Sequence, residues 1–249
     1  MRQSSFAGVG FERYGNTTRR TAFLAEMEQV IPWGDLHALI EPVYQKAGRG
    51  RRPVGLERML RIHFLQHWFN LSDPAVEEAL YETASMRRFV GIDLGQGPVP
   101  DETTICKFRH LLEAHDFGRV LFEQVHAHPE ARGIRISTGT IVDATIIAAP
   151  SSTKNASGRR DVIREHAPRA KDFTNRHYRH RGMVDEAQKA RNRTKSRGRA
   201  KVEHCFAVIK GVFGFTKLRY RGLEKNAQRL FVACSLANLF MIRRRLMPA

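Results

Sequence analysis

Two carboxylates stand out by their surroundings: Asp143, in the middle of an apolar, β-branched run, and Glu203, one helical turn beyond Arg199. In the run 133–152 (GIRISTGTIVDATIIAAPSS) the pattern has period two. Thr140, Val142, Ala144 and Ile146 point one way, and Ile141, Asp143, Thr145 and Ile147 the other. Both faces are largely apolar, which predicts a strand buried on both sides. A buried carboxylate without a partner is costly, so Asp143 must meet a cation, an ion-pair partner or water at a sheet end. A metal ion is the sharper assignment, and a structural ion pair is the competing one.

Glu203 lies in RAKVEHCFAVIKGVFGF, where Val202, Phe206, Ile209 and Phe213 recur at spacings of four, three and four and predict an amphipathic helix. Arg199 precedes Glu203 by one turn and Lys210 follows it by seven residues, so all three fall on adjoining positions of one helical side. That spacing fits a charged reactive face. It fits an ordinary i, i+4 ion pair between Arg199 and Glu203 equally well.

The elements that must position these residues divide the 249-residue chain in two. Residues 1–130 hold 15 Lys+Arg against 17 Asp+Glu, whereas residues 131–249 hold 27 against 8, so the formal charge of +17 arises in the second half. A polyanion is the natural partner of such a half, because each neutralised phosphate releases counterions. The longest nearly apolar stretch, 230–242, contains Ser235 and Asn238 and is too short to span a bilayer. No secretory leader is visible in the opening residues, and three widely spaced cysteines, Cys106, Cys205 and Cys234, suit a reducing compartment as small buried hydrophobes. The expected location is cytoplasmic, at the nucleoid, with no membrane partner.

Residues 1–130 predict helices. Phe23, Leu24, Met27, Val30 and Ile31 form one stripe that ends at Pro32, and Leu36, Leu39, Ile40 and Val43 a second. Leu56, Met59, Leu60, His63, Phe64 and His67 form a third, on which the histidines are expected to be packed or solvated rather than metal ligands. Asp73 before Pro74 marks one helix start and Asp101 another. Helices through Ile105, Phe108 and Leu112 and through Phe117, Leu121 and Val125 follow. With Lys107 and Arg109 exposed, this pair fits a helix–turn–helix that reads DNA; plain helical packing gives the same pattern.

Several stretches resemble bacterial insertion-sequence transposases of the Asp-Asp-Glu class, insertion-sequence-five type. They are Gly139-Thr-Ile-Val-Asp143-Ala-Thr, Ala149-Pro-Ser-Ser-Thr-Lys-Asn155, Arg199-Ala-Lys-Val-Glu203-His and Phe213-Gly-Phe-Thr-Lys-Leu-Arg-Tyr-Arg-Gly-Leu223. In the first half, Leu71-Ser-Asp-Pro and Pro100-Asp-Glu-Thr-Thr-Ile are similar to the family's N-terminal domain. The resemblance implies an α+β chain. A mainly helical N-terminal domain at 1–130, for DNA-end binding and oligomerisation, precedes a truncated RNase H-like domain at 131–249. The second domain would comprise a first strand at 139–148, a basic linker at 154–198, a catalytic-type helix at 199–213 and a C-terminal helix at 223–244.

The resemblance further implies two Asp and one Glu holding two divalent metals, Mg²⁺ or Mn²⁺, for DNA cleavage and strand transfer. Asp143 matches the first Asp and Glu203 the Glu, both as catalytic and metal-binding residues. Arg199 and Lys210 match the catalytic helix signature as DNA contacts, with Lys201 beside them; its tyrosine position is Ser196 here. Nothing matches the second Asp. Between Lys154 and Lys201, 16 of 48 residues are Lys or Arg and no run favours a buried strand. The text on either side of 158–160 corresponds to family segments that normally flank several strands, so an in-frame internal deletion is expected, with metal binding weakened. The expected partner is DNA, the terminal inverted repeats of the element, together with like chains or an intact transposase. A non-catalytic inhibitor of an intact transposase is the alternative function.

Overall fold

The computed structural model describes residues 16–46, 52–131, 177–180 and 183–247. Asp143 and the expected strand at 139–148 lie outside these residues. The helices are α1 (Arg19–Val30), α2 (Trp33–Ile40), α3 (Leu56–Trp68), α4 (Asp73–Glu82), α5 (Ala84–Val90), α6 (Glu102–Ala114), α7 (Phe117–Ala131), α8 (Glu186–Ala207) and α9 (Leu223–Leu246). A π turn, Val208–Val212, continues α8, and a single 3₁₀ turn, Glu41–Val43, follows α2. The described protein is therefore mainly helical. Strand among the described residues is confined to β1 (Arg179–His180) and β2 (Met183–Val184), which pair antiparallel.

Local chemistry sets the helix ends. Thr18 accepts from the Thr21 amide at 3.2 Å to start α1, and Asp101 accepts from the Thr104 amide at 2.7 Å to start α6. At α4 the cap is Ser72, whose hydroxyl accepts from the Ala75 amide at 3.3 Å, one residue before the expected Asp73. Asp73 is instead drawn inward by Arg109 at 3.0 Å and Gln66 at 2.7 Å. Gly91, at φ +72°, closes α5 in the left-handed region that an unbranched backbone tolerates.

The core is built around α3, of which ten of thirteen residues are buried. A helix apolar on nearly every side must be covered all round. Phe23 of α1 meets Trp68 edge-on at 5.4 Å, Trp68 meets Phe89 of α5 at 5.6 Å, and Phe23 meets Phe240 of α9 at 5.7 Å. Each such pair contributes about 0.5–1.5 kcal/mol beyond its burial. On the rim, Arg61 binds Glu28 and Glu57, donates to the Phe89 carbonyl at 2.8 Å and lies 4.4 Å above the Trp33 ring.

The last helix joins this core. α9 runs along α7 and touches α1 and α3, burying Val232, Ala233, Leu236, Ala237, Leu239 and Leu246. The crossing is close: a Cβ at Gly118 of α7 would stand 2.7 Å from the Gln228 carbonyl oxygen. Two residues with positive φ, Asn70 (49°) and Asp116 (52°), follow the ends of α3 and α6. Short polar side chains tolerate that conformation. Both are held from the C-terminal segment. Asn70 donates to the Gly214 carbonyl at 2.8 Å and accepts from Arg229 at 2.6 Å, and Asp116 accepts from Gln228, whose Oε1 takes the Gly118 amide at 2.8 Å.

All three cysteines are free and half-buried. Cys205 of α8 and Cys234 of α9 lie against each other, and this contact, together with burial, pushes the Cys234 thiol up from its ordinary value.

Candidate nucleic-acid interface

The helix that carries Glu203 begins at Glu186, thirteen residues before Arg199, so residues 186–198 of the expected linker are helical. Asp185 accepts from the Gln188 amide at 2.9 Å, and Glu186 in the first turn binds Lys189 at 3.1 Å. An N-cap with an acidic first turn is a sufficient start signal, and neither Gly nor Pro intervenes before Gly198.

Its basic residues alternate along the chain at 189, 191, 193, 195, 197, 199 and 201. At 3.6 residues per turn, alternation does not make one stripe. It makes two rows at i, i+4 spacing: Lys189, Arg193 and Arg197 on one, Arg191 and Lys195 on the other, with Lys201 and Arg199 continuing them in sequence. Lys189, Arg191, Arg193 and Arg197 are exposed. Arg191, Arg193 and Arg197 meet no carboxylate among the described residues. Like charges at i, i+4 each weaken an isolated helix by about 0.2–0.5 kcal/mol. A polyanion laid against the rows removes that penalty and supplies the missing counter-charges.

Glu203 is exposed near the C-terminal end of the same helix. Lys210 is exposed within the π turn. That wider i→i+5 turn interrupts the seven-residue register that an ideal helix would place between them. Arg199 and Lys201 have backbone positions on α8, and their side chains lie outside the described residues, as does the whole of Asp143. From the end of α8 onward the chain becomes apolar: Phe206 packs against the core, and Val208 and Ile209 of the π turn and Phe213 beyond it are buried.

The divalent cation implied by the resemblance needs several oxygen donors converging on one point. Among the described residues no group of three His, Cys, Asp or Glu side chains could hold a metal, and α8 brings one candidate carboxylate, Glu203. The described donor set does not by itself fit the ion.

The expected helix–turn–helix face divides in two. Lys107 is exposed, but the Arg109 side chain is only 12% exposed and is held by Asp73 at 3.0 Å and Glu113 at 2.9 Å. Hydrogen bonds from Arg109 and Gln66 outweigh burial and keep the Asp73 carboxyl below its ordinary value. Arg109 therefore ties α6 to α4 and does not share the exposed face of Lys107. Its i, i+4 partner Glu113 was a visible signal; its longer-range partner Asp73 was not. His63 and His67 are both buried, their rings 4.7 Å apart. Burial lowers both pKa values, that of His63 to about 4.

A family model described as "Transposase domain (DUF772)" matches residues 12–111, and one described as "Transposase DDE domain" matches residues 145–239. The first spans α1 to most of α6 and the second includes α8 and most of α9. No solved structure gives a significant match. Among the described residues no helix is long and apolar enough to cross a membrane.

Proposed function

From the premise that the two domain matches support a transposase of the DDE class, we propose that this chain binds the terminal inverted repeats of an insertion sequence of the insertion-sequence-five type and has lost strand cleavage. The observation that carries the binding half is α8, where Lys189, Arg191, Arg193 and Arg197 are exposed on the segment matched as a transposase DDE domain. Phosphate contacts of this kind position a protein on a duplex without reading its sequence. Selectivity for the repeats then falls to the helical half, through exposed positions such as Lys107 rather than through Arg109.

The loss of cleavage rests on the carboxylates. Asp143 and Glu203 correspond to the first and last members of a three-carboxylate set, and the sequence of residues 154–201 contains no run that favours a buried strand to carry the second. An in-frame deletion near 158–160 from an RNase H-like domain accounts for this. In an intact site three carboxylates would hold Mg²⁺ or Mn²⁺, which would supply activation of a water or 3′-hydroxyl for attack on a phosphodiester. Here Arg199, Lys201 and Lys210 remain to hold phosphates, while Asp143 and Glu203 alone would hold such an ion weakly. The missing member also favours a role beside an intact transposase, as a homo- or hetero-oligomeric occupant of the ends that blocks cleavage.

The test is a gel assay of the full chain on a labelled duplex carrying the flanking DNA ends, with Mg²⁺ or Mn²⁺ and with Asp143→Ala alongside. A shifted, uncut duplex is the expected result. Nicking that vanishes in the Asp143→Ala lane would overturn the loss of catalysis, and absence of any shift at low salt would overturn DNA binding.

A further inference from the structure

A cavity lies where α3, α6 and α9 meet, bounded by His63, Arg109, Glu113, Tyr220, Lys225 and Arg229 among others. The volume open to a water's centre is about 30 Å³, about twice the ~10–15 Å³ that one water requires.

Leu71, Leu112, Leu121 and Val232 supply apolar wall, and among the charged lining residues cations outnumber carboxylates. Arg229 is 8% exposed, yet among the described residues it meets no carboxylate. Its Nη2 donates to the Asn70 side chain at 2.6 Å, its plane lies 4.6 Å from the Phe215 ring centroid, and its Nη1 has no partner. Nε of Arg109 and Nδ1 of His63 are likewise buried without partners. The carboxylates nearest to them are engaged: Glu113 and Asp73 both bind Arg109. Counted over the lining, Arg109, Lys225 and Arg229 oppose Glu113 alone, with both histidines neutral. Burial, followed by the nearby Arg219 guanidinium, lowers the Arg229 pKa to about 10, as expected of a cation that lacks its anion.

A buried guanidinium without a counter-ion is expensive. A water accepts at most two hydrogen bonds and brings no charge, whereas an oxyanion accepts from both guanidinium groups and from His63 in its Nδ1–H tautomer, and neutralises Arg229. We propose that this cavity is a binding site for a small tetrahedral oxyanion of phosphate type, held by Arg229, Arg109 and His63, with Lys225 at its exposed rim. The ion neutralises the junction between the helical half and the C-terminal helix. Its chemistry is shared by free inorganic phosphate and by a phosphate of bound DNA.

The experiment measures the thermal midpoint of the full chain against phosphate and sulfate at fixed ionic strength, balanced with chloride, for the wild type, Arg229→Gln and Lys225→Glu. The expected result is a saturable rise in the wild type, with apparent affinity at least ten-fold weaker in both variants. Lys225 is exposed, so its variant folds even where Arg229→Gln does not. A rise matched by chloride, or equal in wild type and Lys225→Glu, overturns the site and leaves solvent in the cavity. Duplex binding by Lys225→Glu then separates the sources. Duplex affinity equal to wild type assigns a free oxyanion, whereas loss of affinity together with competition between phosphate and duplex assigns a DNA phosphate; both outcomes support the site. Neither depends on cleavage, so the failure of this inference is distinguishable from failure of the proposed function.

Discussion

Helices α8 and α9 come from the same basic half of the chain and meet opposite fates. α8 carries seven Lys or Arg against two Glu, and α9 five against one. Net charge does not distinguish them. α9 repeats large apolar residues often enough to cover α7, α1 and α3, and two of its five cations are drawn in with it: Arg243 binds Glu26 of α1 at 2.7 Å, and Arg229 is buried. From Glu186 to Arg197 α8 carries no large apolar residue, and Lys189, Arg191, Arg193 and Arg197 face solvent there. The same residue type is an internal strut at Arg229 and Arg243 and faces solvent at Arg191, Arg193 and Arg197, and apolar periodicity decides which.

Four outcomes break or sharpen that contrast. Leu236→Ala, at a site 1% exposed on α9, is expected to cost about 2–5 kcal/mol in chemical denaturation. A loss below 1 kcal/mol would mean that α9 is not part of the cooperative core.

Acidification acts on the same core. His63 and His67 are neutral in the fold, and their folded pKa values lie below the unfolded value near 6.5. Their contribution is complete above pH 6.5 and is lost as the pH falls toward about 4, where His63 itself takes a proton. His63 alone accounts for roughly 3 kcal/mol across that window. Denaturation midpoints measured at pH 7.5 and pH 4.5 should show the fall, and His63→Gln should flatten it.

Gly118→Ala forces a methyl group against the Gln228 carbonyl oxygen and is expected to destabilise by about 1–3 kcal/mol. An unchanged thermal midpoint would show that the α7–α9 crossing is looser than 2.7 Å implies.

On α8 the stability effect is smallest and the binding effect takes its place. Arg193→Gln should change stability by less than about 0.5 kcal/mol while lowering the salt-dependence slope of duplex binding by about 0.9. A helix with like charges in rows should also gain helicity when duplex is added, which far-ultraviolet circular dichroism would detect. A slope equal to that of the wild type would remove Arg193 from the DNA face.

Much of the helical framework was legible because its signals are local. The stripe ending at Pro32 and the cap at Asp101 depend on neighbours within four residues, and both appear where expected. The start of α4 was displaced by one residue because Ser72 and Asp73 are both competent caps and a distant Arg109 claimed the second. Arg109 looked exposed because nothing nearby in sequence revealed Asp73 as its partner. The early start of α8 was obscured by composition: a dense basic run resembles a solvated linker, although its cap at Asp185 is present in the sequence. Of the candidate site, Glu203 and Lys210 are exposed, and Asp143 lies outside the described residues.

What the sequence by itself determined is the set of short-range choices: helix periods, caps, the segregation of positive charge into residues 131–249, and the motifs that point to Asp143 and Glu203. Those properties act over one or two turns or simply add along the chain. Only the tertiary structure decided that α9 completes the core of the helical half, that Asn70 and Asp116 hold the C-terminal segment, and that Arg229 is buried without a carboxylate. Each joins residues more than 100 positions apart. Such contacts follow from which surfaces fit and exclude water together, and no local pattern encodes that.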